Sequence, residues 1–139
     1  MEIIANALQT VQANQNVYFS DTVVSGGTAI SHRDDSGLIT LRGNTGQCRA
    51  RFRVTFGGNI AIPTGGTVED ISMAIVVEGE PLSSTIMTVT PAAVENFWNI
   101  FTAVLIDVPQ NCCISIGVRN INDQAIEVQN ANLIVERVA

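Results

Sequence analysis

Apolar and polar residues alternate along most of the chain, in short runs rich in Val, Ile, Thr and Phe that Gly, Pro, Asn and Asp interrupt. A period of two is the signature of β-strands. The pattern predicts strands over residues 3–11, 17–20, 28–32, 38–42, 48–62, 71–78, 85–90, 97–108, 112–119, 125–128 and 131–138. Turns fall at Ser25-Gly26-Gly27, Asp34-Asp35-Ser36-Gly37, Gly43-Asn44-Thr45-Gly46, Pro63-Thr64-Gly65-Gly66, Glu78-Gly79-Glu80-Pro81, Pro109-Gln110-Asn111 and Asn120-Ile121-Asn122-Asp123. Strands this short, with turns this regular, predict an all-β sandwich or jelly roll. Residues 91–96 are the one place that suggests a helical turn, with Thr90 as cap and Pro91 at the first helical position. The end of the chain, QAIEVQNANLIVERVA, reads as two strands about a tight turn, the last tied into the middle of a sheet.

The faces of the strands say more. In residues 48–56, Cys48, Ala50, Phe52, Val54 and Phe56 point one way and Arg49, Arg51, Arg53 and Thr55 the other, as in a half-buried antiparallel strand. Three segments lack that contrast: ISMAIVV (71–77), FWNIFTAVLI (97–106) and CCISIGV (112–118). In a sandwich each sheet has one face toward water, so a strand apolar on both sides needs a second cover. The chain has no helices to spare for it, and a further copy of the same chain is the expected cover, giving a homo-oligomer. The alternatives are loops folded over the outer face, or a surface that is simply apolar.

Composition supports that reading. Hydrophobic residues make up 46% of the 139 and charged residues 14%, against about 25% charged in a typical soluble domain. The seven basic residues are all Arg. A net charge of −6 disfavours nucleic acid and anionic membrane as partners. No stretch approaches the roughly 18 apolar residues of a membrane span. The first residues lack the basic start and long apolar run of a secretory signal. The chain is therefore expected to stay in the cytoplasm until assembly or lysis.

Little in the sequence carries chemistry. Cys48, Cys112 and Cys113 are odd in number and two are adjacent, a poor disulfide framework, so reduced packing cysteines are expected. With one His there is no metal-ligand spacing, and no cofactor motif appears. The turn carboxylates Asp34, Asp35, Glu69 and Asp70 offer at most a loose surface calcium. Ser31-His32 with Asp34 and Asp35 imitates a triad, but residues this close along a strand and turn rarely converge. No catalytic residue is assigned and an enzyme is not expected. Arg49, Arg51 and Arg53 form either an anion site or pairs, within or between subunits, with acids such as Glu78, Glu127 or Glu136. Phe97, Trp98 and Phe101 suit a core or subunit interface better than a sugar platform.

Several segments, taken in order, carry a resemblance: Asn16-Val17-Tyr18-Phe19, Ser36-Gly37-Leu38-Ile39-Thr40-Leu41, Gly46 leading into the long strand 48–56, the hairpin 71–81 with Glu78-Gly79-Glu80-Pro81 at its tip, and the closing Asn132-Leu133-Ile134-Val135-Glu136-Arg137-Val138-Ala139. Over residues 16–139 the chain resembles the tumour necrosis factor and complement-type globular-head superfamily. It is most similar to the bacterial or phage branch, including C-terminal domains of collagen-like spore-surface proteins. The resemblance implies a ten-stranded antiparallel jelly-roll sandwich that forms a homotrimer. The interface residues expected are Phe97, Trp98, Phe101, Leu133 and Val135. The chain departs from the family in having no Gly-X-Y stalk and no calcium-ligand cluster. Residues 1–15 are expected to be an extra strand or a docking arm.

The function expected is a non-enzymatic trimeric structural or surface protein that decorates or tips a larger particle, a phage virion or a spore surface. The alternative is a recognition module for a cell-surface glycan or protein.

Overall fold

The alternation resolves into two antiparallel sheets in a computed structural model that describes all 139 residues. The strands are β1 (Glu2–Ala5), β2 (Gln9–Val11), β3 (Asp21–Val24), β4 (Ile30–His32), β5 (Ile39–Arg42), β6 (Arg49–Ala61), β7 (Ile71–Val77), β8 (Glu80–Pro81), β9 (Met87–Val89), β10 (Trp98–Pro109), β11 (Cys113–Asn120) and β12 (Ile126–Arg137). The first sheet runs β10-β6-β12-β1-β3, with β2 beside β12; the second runs β4-β5-β11-β7-β8, with β9 beside β7. Ten strands thus lie on two five-strand paths, and β2 and β9 are short additions.

The core lies between the sheets. Alternate residues feed it: Ala50, Phe52, Val54 and Phe56 from β6, Ile39 and Leu41 from β5, Met73 and Ile75 from β7. Phe19 meets Phe56 edge to face at 6.5 Å. Glu78 (φ 52) and Gly79 (φ 84) both take left-handed backbone, which gives the β7–β8 hairpin the primed turn that matches strand twist.

Several local expectations change. The predicted terminal hairpin is one strand, β12, carrying a bulge between Gln129 and Asn132. Asn130 takes the left-handed turn of that bulge (φ 53), and the break between β1 and β2 lies opposite, where Asn130 N donates to Asn6 O at 3.3 Å. Residues 91–96 form no helix: Glu95 turns left-handed (φ 58) so that its N–H can reach Ile62 O at 2.8 Å, a tertiary bond a helical turn would forgo. The one helical turn is 3-10, Ser83–Thr85. Residues 17–20 make only one isolated bridge, Phe19 to Ser36. Cys48, Cys112 and Cys113 are exposed, not packed, because they fall at strand ends and in the tight turn that closes β10 onto β11.

Residues 1–15 are part of the sandwich. β1 lies between β12 and β3, β2 pairs with β12, and Ile3, Ala5 and Val11 enter the core. A free docking arm there would leave those three side chains without their apolar surroundings.

Candidate functional site

The strands read as apolar on both faces divide once their registers are known. β7 buries both faces within the subunit, Ala74 and Val76 included; Arg119 stands opposite Ala74, and Pro81 opposite Val76. β11 sends Ile114, Ile116 and Val118 inward and Cys113, Ser115, Gly117 and Arg119 outward. Of these three strands, only β10 keeps large apolar side chains in solvent. Phe101 is 65% exposed, Leu105 54%, and Ala103 between them is exposed as well.

Register extends this row into a patch. Phe101 lies beside Gly57, which lies beside Asn132, and Ile4 follows. In the next row Ala103 lies beside Thr55, then Ile134, then Glu2. Gly57 and Thr55 make a low floor between the β10 side chains and the half-buried Ile134 and Ile4. Ion pairs close one end: Arg53 to Glu136 at 3.2 Å, Arg51 to Asp107 at 2.8 Å and Arg49 to Asp107 at 3.1 Å. Amides close the other, with Asn99 Nδ2 donating to Asn59 Oδ1 at 3.1 Å. The hydrogen bond from Arg51 holds the Asp107 carboxyl below the usual carboxylate range, aided by the charges of Arg51 and Arg49 and opposed by partial desolvation. The same contact raises Arg51 further.

The expected site residues fall on different sides of the sheet. Phe101 is on the outer patch, Trp98 is 47% exposed at the start of β10, and Phe97 is half-buried beside it. Leu133 and Val135 do not face a neighbour, because both are fully buried in the subunit's own core. The bulge in β12 causes this. Ile126 and Val128 point inward, and one extra residue then turns Ala131, Leu133 and Val135 inward and Ile134 outward. Ile134, Ile4 and Leu105 take their place on the patch. The three Arg pair across strands within the chain, with Glu136 as one expected partner and Asp107 in place of Glu78 and Glu127.

The Ser31, His32 and Asp34 side chains engage separate partners. Arg42 Nη1 donates to Ser31 Oγ at 2.9 Å, His32 Nε2 meets Ser36 O at 2.9 Å, and Thr22 Oγ1 donates to Asp34 Oδ1 at 3.3 Å. Asp70 accepts from Thr90 at 2.8 Å, while Glu69 accepts from Gln124 at 2.9 Å. No three His, Cys, Asp or Glu side chains converge as a metal centre would require. A pair that sequence reasoning missed is Glu95 with Glu127, two carboxyls in contact at the 91–97 segment. Its one signal was an acidic residue, Glu127, between Ile126 and Val128 in an otherwise apolar strand.

No protein-family model and no curated protein matches the chain. Solved structures do. The Eiger TNF of S. frugiperda superposes with a TM-score of 0.69 at 15% identity, covering 99% of this chain and 90% of that one. The globular domain of zebrafish complement 1qA gives 0.62 at 9% identity, over 96% and 93%. Murine APRIL gives 0.56 at 7% identity, over 95% and 96%. The fold is the TNF/C1q-type jelly roll. At such identities the likeness is one of backbone path and strand order, and the chemistry of the outer patch belongs to this chain's own residues.

Proposed function

We propose that the chain is a non-enzymatic structural or surface protein, a homotrimer joined through the outer face of its first sheet, that decorates or tips a larger particle such as a phage virion or a spore surface. The observation that carries the assembly is the patch of Phe101, Ala103, Leu105, Ile134 and Ile4, an apolar face that alternation puts toward solvent. Copies of the same chain are the simplest complementary cover for it. Support for three copies and for the particle comes from the resemblance to complement-type heads and spore-surface domains. On this reading the chain waits in the cytoplasm and reaches the particle at assembly or lysis.

Sedimentation velocity tests the assembly. A trimer is expected for the native chain, and a folded monomer for Phe101→Asp combined with Leu105→Asp. A native chain that stays monomeric at micromolar concentration overturns the reading. Cross-linking of purified virions or spores tests the location, which fails if no capsid, tail or coat protein is found beside the chain.

One observation favours the second reading, recognition of a cell-surface glycan or protein. Asn14, Gln15, Asn16, Ser36 and Arg119 line a shallow polar concavity beside β11, a set of amide, hydroxyl and guanidinium groups suited to sugar hydroxyls. Glycan-array binding lost on Asn14→Ala would support it over the first.

A further inference from the structure

At one end of the first sheet a carboxyl is buried on the side that should face water. Glu127 precedes the bulge of β12 and is only 7% exposed. β6 sets Ala61 beside it and β2 sets Thr10 on its other flank. Glu95 closes over it. Glu95 is fixed by its left-handed backbone, by its N–H bond to Ile62 O, and by Thr64, whose N–H and Oγ1 both donate to Glu95 Oε1 at 3.1 Å.

The two carboxyls are in contact, and Glu127 Oε2 is buried with no donor. None of the surrounding elements supplies a cation. β2 offers Gln9, Thr10 and Val11; the end of β6 offers Ile60 and Ala61; the turn beyond it is Pro63-Thr64-Gly65-Gly66; and Glu95 is the only ionisable residue in 91–97. A carboxylate as deeply buried as Glu127, with a second carboxyl against it and no cation near, takes up a proton rather than stay ionised. Protonating Glu127 converts an acceptor into a donor, and the bond it then gives to Glu95 ties the 91–97 segment down.

We propose that Glu95 and Glu127 share one proton, and that this proton latches the 91–97 segment onto the first sheet beside Trp98. Burial, together with the hydrogen bond and the charge of Glu95, pushes the Glu127 carboxyl up to about 7, while the bond from Glu127 holds Glu95 below the usual carboxylate range. The folded chain therefore keeps a proton that the unfolded chain has lost above about 4.5. The latch is fully closed in mild acid and is lost as pH rises through about 7, when both groups are charged and repel.

Trp98 is the chain's only tryptophan and adjoins the segment, so its fluorescence reports the latch. A titration of the full chain from pH about 5 to about 9 is expected to show a one-proton transition centred at about 7. Glu127→Gln places a permanent amide donor there and should hold the acid-form signal throughout. Glu95→Gln lets the amide donate to an ionised Glu127 and should move the midpoint down by about one pH unit or more. Glu95 is solvent-exposed, so this second variant decides the matter if Glu127→Gln fails to fold. A midpoint unchanged in Glu95→Gln, or a transition that survives Glu127→Gln, overturns the latch. So does a transition abolished by His32→Gln, which belongs to the imidazole. A midpoint that moves with protein concentration assigns the change to assembly, and one that moves with millimolar magnesium or calcium assigns the pair to a cation; either also overturns the latch.

Discussion

On the second sheet the outward positions include Arg42, Ser72 and Arg119, whose side chains bond to neighbouring strands or to the loops above: Arg42 Nη1 donates to Ser31 Oγ at 2.9 Å, Ser72 Oγ lies 2.7 Å from Thr88 Oγ1, and Arg119 Nη1 donates to Gly79 O at 2.9 Å. On the first sheet the central outward positions are Phe101, Ala103, Leu105, Ile134 and Ile4, and nothing in the chain covers the β10 row. Both sheets obey the same alternation and bury the same kind of inner face. What differs is who covers the outside. The second sheet receives its own loop, with Asn16 lying over Gly117 and donating to Gly37 O at 3.1 Å. The first sheet waits for something else. Strand pattern alone thus identifies a face, and only the register shows whether the chain already covers it.

The sharpest way to break the comparison is at β12, where adjacent residues serve the two environments. Val135 is fully buried and Ile134 lies on the outer patch. Val135→Asp puts an unpaired charge into the core and is expected to cost more than about 4 kcal/mol, leaving no folded protein by circular dichroism. Ile134→Asp should leave the subunit folded and weaken assembly about 100-fold or more, about 3 kcal/mol, read by sedimentation. If both variants unfold, the outer face is part of the subunit's own core. If both fold, the bulge does not set the register described.

These two residues also show what the sequence could and could not tell. The half-buried pattern of 48–56 was legible because its two faces differ chemically, and Ala50, Phe52, Val54 and Phe56 are indeed buried. In residues 133–135 both faces are apolar, so that stretch by itself does not say which is inside. The deciding event is a one-residue bulge at Gln129–Asn132, stabilised by a left-handed Asn that resembles a turn residue in sequence. The same ambiguity hid the covering of β7, where buried Ala74 and Val76 read as interface. Glu95 was invisible for another reason. Its importance comes from a contact with a residue 32 positions away, made possible only by a strained backbone in a segment whose local signals suggested a helix.

Two glycines compare the coverings directly. A Cβ on Gly117 would lie 2.5 Å from Asn16 Nδ2 and 2.7 Å from Gly37 O, the latter a backbone atom that cannot simply swing away. A Cβ on Gly57 would find only Asn132 Oδ1 at 3.3 Å and Ile100 O at 3.9 Å. Gly117→Ala is therefore expected to destabilise the subunit by about 1–3 kcal/mol in a denaturant titration. Gly57→Ala should leave subunit stability unchanged or slightly raised, and any loss it causes should appear in assembly, because its methyl rises from the floor of the patch. Equal destabilisation of the subunit by both would mean that the first sheet, too, is roofed by its own chain.

The smallest effect separates the rim of the patch from its centre. Asp107 joins Arg51 and Arg49 in solvent, so the pairs are weak and open to screening by salt. Because the folded chain holds Asp107 below its ordinary value of 3.8, its contribution is present above that pH and fades as pH falls through the folded value. Asp107→Asn should lower the melting temperature slightly at neutral pH and low salt, less in about 1 M salt, and progressively less as pH falls through the folded value. That direction is opposite to the one expected at Glu95 and Glu127, whose contribution falls as pH rises. A thermal profile that loses stability on both flanks, with Asp107→Asn flattening only part of the acid limb and Glu127→Gln only the neutral one, would separate the two ends of this sheet. A large, salt-independent loss in Asp107→Asn would instead place the Arg pairs inside a desolvated contact and move the boundary of the apolar face outward to include them.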